Sequence, residues 1–118
     1  MNMQMICSLF TLFSGEEDVN RFMPLLMVSI EEIREQLCKG ADDTDVRLCY
    51  LSAAVANLRY TTIYGAREKA LATYAGNIAR QSDGLQQLQF AEHLVNCYRG
   101  LCSDLLRNGA FLFEGVRG

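Results

Sequence analysis

Apolar residues recur at helical spacing through most of the chain. Ile6, Leu9, Phe10 and Phe13 stand at i, i+3, i+4 and i+7, one stripe of a short N-terminal helix. A second stripe, Phe22, Leu25, Leu26, Ser29, Ile30, Ile33 and Leu37, has Glu31, Glu32, Arg34 and Glu35 on the opposite side. It predicts a helix running to about Cys38. Ser14 followed by Glu17 fits a capping box that would start it. Pro24 lies inside the pattern and lacks a backbone donor, so a kink or a late start is expected there. Lys39-Gly40 is a plausible stop.

Asp42, Asp43, Thr44 and Asp45 crowd the next start, where side-chain oxygens cap free N–H groups. From Val46 to about Tyr64 apolar residues cover most of the circumference: Leu48, Cys49, Leu51, Ala53, Ala54, Val55, Ala56 and Leu58. A helix apolar on most sides belongs at the centre of the fold. The helical period then fails between Gly65 and Gly84. Gly76-Asn77 suits a two-residue turn, so a β-hairpin or extended arm over about 66–82 is expected, with a continued helix as the competing reading. Ser82-Asp83 would cap a third long helix, carried by Leu85, Leu88, Ala91, Leu94, Val95, Tyr98, Leu101, Cys102, Leu105 and Leu106. Arg107-Asn108-Gly109 reads as its stop. The tail 110–118 holds Phe111, Leu112 and Phe113, too apolar to be left in water, and is expected to dock on this domain or on a partner.

These elements make one mainly α domain over 1–118: a small bundle of three long helices plus a short N-terminal helix, with an arm between the last two. The length of 118 residues leaves room for no second domain. The net charge of −3 conceals a split: residues 1–45 sum to −6 and residues 46–118 to +3. A polarised subunit suits head-to-tail contact between copies, although helix-dipole bias explains the same numbers. Met5–Phe13 is too short to span a bilayer, nothing basic precedes it and no cleavage signal follows it, so a cytosolic location and no membrane partner are expected.

Little in the sequence supports chemistry. Cys7, Cys38, Cys49, Cys97 and Cys102 form no CxxC pair or zinc-type cluster with the single histidine, His93. Cys49, Cys97 and Cys102 fall in apolar helical patterns and read as small buried hydrophobes in a reducing compartment. His93 has Glu92 and Leu94 as neighbours and is expected to be an ordinary helix residue. Glu16-Glu17, Glu31-Glu32 and Asp42-Asp43 are adjacent pairs whose members diverge on a helix, which fits capping and solubility. No phosphate-binding, nucleophile-elbow, HExxH or EF-hand motif occurs. Arg59, Arg67, Lys69 and Arg80, interleaved with Tyr60, Tyr64 and Tyr74, are too few for a dedicated nucleic-acid surface on an acidic chain. A non-enzymatic protein is expected, with no cofactor, no metal and no catalytic residue.

The layout resembles small phage and prophage head–tail connector proteins over about residues 16–107. The resemblance rests on an acidic first helix, then DDTDVRLCYLSAAVANLRY, then the arm ATYAGNIARQSDG, then a helix opening SDGLQQLQFAEHLV. Asp45-Val46-Arg47-Leu48, opening an Ala-rich helix that ends in Arg59-Tyr60, carries most of it. The resemblance implies a structural role in a ring of identical subunits joining the head to the tail, in the host cytoplasm and in the virion. Partners would be further copies and the portal and tail or neck proteins. The expected contacts are Tyr74, Ile78 and Arg80 of the arm and Phe111 and Phe113 of the tail. The alternatives are a small cytosolic helical adaptor or regulator acting as a dimer, and an enzyme whose site is assembled from scattered carboxylates and His93.

Overall fold

In a computed structural model, residues 1–75 and 78–107 are described, with side chains for 1–64 and 85–107. Among these residues four α-helices follow in order: α1 (Met3–Ser14), α2 (Met23–Glu35), α3 (Val46–Ala75) and α4 (Ile78–Leu101). A 3-10 turn, Val19–Phe22, precedes α2. Among the described residues there is no strand, only one isolated antiparallel bridge between Leu37 and Leu106.

The N-terminal stripe folds as its spacing requires, with Ile6, Leu9 and Phe10 buried. Asn2 caps α1 by accepting from the Met5 amide at 3.1 Å. Ser14 does not start the second helix. It closes the first: its hydroxyl donates to the Phe10 carbonyl at 2.7 Å and accepts from the Glu16 amide at 3.1 Å. Gly15 then turns the chain at φ 79°, in the left-handed region that other residues avoid. Pro24 sits in the first turn of α2, where its missing donor costs nothing, so the late start is the outcome.

The third helix is the organiser. At its start the Asp45 carboxylate accepts from the Arg47 amide at 2.9 Å, a true N-cap, while Asp42 turns back on Thr44. Two apolar stripes of α3 then face opposite ways. Leu48, Leu51, Val55 and Leu58 pack on Ala91 and Val95 of α4, with Ile33, Cys102, Leu105 and Leu106. Cys49, Ala53 and Ala56 pack on Ile6, Leu9 and Phe10 of α1, and on Phe22, Leu26 and Ile30. That double packing is why the sequence is apolar nearly all round, and small residues on the second face let α1 and α2 approach closely. Aromatic rings fill what remains: Phe22 lies 5.7 Å from Phe10, 5.1 Å from Tyr60 and 5.6 Å from Tyr64.

The expected hairpin is not found. Helix continues through Ala75 on one side and resumes at Ile78 on the other, so Ser82-Asp83 lies within α4 instead of capping it. Gly76-Asn77 itself lies outside the described residues. The physical reason is propensity: Ala, Leu, Arg, Lys and Glu dominate 66–75 and favour helix, and a turn dipeptide marks the link between helices as well as between strands. The last helix also stops early. It ends at Leu101, and residues 102–107 fold back beside the end of α2. There the Cys38 amide donates to the Leu105 carbonyl at 2.8 Å and the Arg107 amide to the Gln36 carbonyl at 2.9 Å. Leu105 and Leu106 are buried by this return and not by helical continuation.

Candidate functional site

Three groups of polar side chains stand out on this frame. The first joins the start of α3 to the turn after α4. The Arg47 guanidinium donates to Asp45 at 3.1 and 2.9 Å, to Asp104 at 2.9 and 3.1 Å, and to the Leu101 carbonyl at 2.7 Å. Its hydrogen bonds to Asp45 and Asp104 hold both carboxyls below the usual carboxylate range and raise the pKa of Arg47 itself. The Cys102 thiol beneath donates to the Arg47 carbonyl at 3.4 Å, and burial pushes it up to about 11. Every donor direction of the guanidinium is used. The group is a clamp, with no open position for a ligand.

The second group ties α2 to α3. Arg59 donates to the Ser29 hydroxyl at 2.8 Å and pairs with Glu32. Ser29 passes the bond on to the Leu25 carbonyl at 2.7 Å. Outside this pair, the outer face of α2 is exposed among the described residues. Met27 and Val28 are 49% and 55% exposed and, with Glu31, Glu32 and Glu35, line a shallow cavity of about 330 Å³. Arg34 lies beside Glu31 at 2.7 Å. An apolar floor with an acidic rim accommodates a basic, partly apolar segment of a partner. It lacks the enclosure that buries a small molecule.

The third group is His93 and Cys97 on α4. Both side chains are exposed, and Cys97 Sγ lies 3.4 Å from His93 Nε2. Sequence reasoning missed this pair by assigning Cys97 to the buried stripe. Ala91, Val95 and Tyr98 carry the inward face instead, and Cys97 points outward with His93 one turn before it. The i, i+4 spacing was the available signal.

The contact residues expected from the sequence fall where no side chain is described. Tyr74, Ile78 and Arg80 fall in the facing ends of α3 and α4, and their side chains lie outside the described residues. Phe111 and Phe113 lie outside them altogether. The described carboxylates are scattered over the α1–α2 link (Glu16, Glu17, Asp18), the α2 face, the segment before α3, Glu92 on α4 and Asp104, while the hydrogen-bonding contact of His93 is with Cys97. Among the described residues, no group of three or more His, Cys, Asp or Glu side chains is placed to hold a metal ion, and no helix is long and apolar enough to cross a membrane. The chain has no match among known protein families, curated proteins or solved structures.

Proposed function

We propose that this protein is a structural assembly subunit of the phage head–tail connector type, acting through contacts with copies of itself and with portal and tail or neck proteins. The observation that carries this reading is the face of α2 left exposed among the described residues, where Met27 and Val28 lie among Glu31, Glu32 and Glu35. An apolar patch rimmed by charge is what a subunit offers to a neighbour. The basic surplus sits in the other part of the chain, residues 46–118, so one copy's acidic face and another's basic part attract across a head-to-tail interface. The arm and tail residues Tyr74, Ile78, Arg80, Phe111 and Phe113 remain the proposed further contacts.

The proposed role is tested by the genes beside this one and by the product of their co-expression. Genes for portal, capsid and tail proteins are expected next to it. Co-expressed with that portal protein, the chain is expected to appear as a ring on the portal in electron micrographs. A housekeeping neighbourhood, or a portal protein that never acquires the ring, would overturn the proposal.

A further inference from the structure

His93 and Cys97 are the only imidazole and the one exposed thiol among the described side chains, and they are in contact. Helical geometry brings them together: residues four apart lie on one face, one turn above the other. Their separation carries the argument. A tetrahedral zinc ion bonds sulfur at about 2.3 Å and imidazole nitrogen at about 2.0–2.1 Å, which sets the two donor atoms about 3.6 Å apart. The Sγ···Nε2 distance is 3.4 Å. The two donors therefore already stand at the bite of such an ion, and chelation needs only small rotations of exposed side chains.

We propose that His93 and Cys97 form a two-ligand site for a thiophilic divalent metal ion of the zinc class. Binding forms a metal–sulfur and a metal–nitrogen bond, and the thiol proton passes to solvent. The imidazole contributes the Nε2 lone pair and no electrons are transferred. No third His, Cys, Asp or Glu among the described residues joins the pair, and the remaining positions are open to water or to donors of another molecule. That makes it an open site on a surface, unlike a closed four-ligand structural site. Borderline-soft donors exclude magnesium and calcium, which take oxygen. The inference is independent of the assembly role.

The test uses the full-length protein and the metal alone. Alkylation of each cysteine by iodoacetamide is followed by peptide mass spectrometry, with and without zinc. Zinc is expected to slow modification of Cys97 at least tenfold, with no comparable effect on Cys7 or Cys38. In His93→Asn that protection is expected to disappear, while the far-UV circular dichroism spectrum stays that of the parent. Cobalt(II) is expected to give a thiolate-to-metal absorption band that is lost in both His93→Asn and Cys97→Ser. Equal protection in the parent and in His93→Asn, or none in either, would overturn the proposal.

Discussion

Arg47 shows how one side chain closes a small fold. Its guanidinium holds the Asp45 cap at the start of α3 and Asp104 in the turn after α4, two points far apart in sequence. Both carboxyls sit below their ordinary value of 3.8 because they accept its hydrogen bonds. A carboxyl whose folded pKa is depressed stabilises the fold above the unfolded value, and that stability is lost as pH falls through the folded value. Arg47→Met is therefore expected to flatten the loss of stability on acidification from about pH 4 to pH 2, read as the urea midpoint against pH. Asp42 keeps its own depression through Thr44, so a residual slope stays. An unchanged acid limb would remove the clamp from the account. The cysteines offer a second check at this scale. Cys49 and Cys102 are buried and Cys97 is exposed, so native-state alkylation without metal should modify Cys97 first and spare the other two until unfolding. Phe22 bears on stability most directly, since it contacts Phe10, Tyr60 and Tyr64 at once and Arg21 stacks over its ring at 5.5 Å. Phe22→Ala should cost about 3–5 kcal/mol in denaturant unfolding.

Among the elements, the link between α1 and α2 depends on backbone conformation. Gly15 has φ 79° and nothing within 4 Å of where a Cβ would stand. Gly15→Ala is expected to lower stability by about 1–2 kcal/mol through the left-handed backbone alone, without a clash. The same link shows where sequence patterns were legible. The stripe Ile6, Leu9, Phe10 and Phe13, the Asp45 start and the doubly apolar α3 follow from periodicity, because burial against neighbours is what made those patterns. Ser14 was read as a beginning and is an end, because a serine hydroxyl caps either terminus and the left-handed glycine after it decides. Gly76-Asn77 suits a strand turn, while its flanks favour the competing helical reading, and the described flanks are helical. Leu105 and Leu106 keep helical spacing yet are buried by pairing with residues 36–38, a long-range contact that no local pattern encodes. The His93–Cys97 pair was present in the spacing and hidden by assigning Cys97 to the wrong face.

At the scale of the molecule, α3 divides the interior into two layers, α4 on one side and α1 with α2 on the other. The α2 layer turns Ile33, Leu26 and Ile30 inward, and among the described residues Met27 and Val28 stand exposed beside acids. The proposed assembly role assigns that face to a neighbour, and charge reversal is the way to weaken it. In Glu31→Lys combined with Glu35→Lys, association with a second copy is expected to fall at least tenfold, with the helical content retained; each exposed charge contributes little alone, and the pair acts through the field they share. The contact itself is identified by placing a photoreactive phenylalanine analogue at Val28, in the full-length protein expressed with its neighbouring genes, and sequencing the cross-linked peptides. The account predicts adducts between position 28 of one copy and the segment 46–118 of another. Cross-links confined to the α2 helices of two copies, or no adduct to any protein, would contradict it.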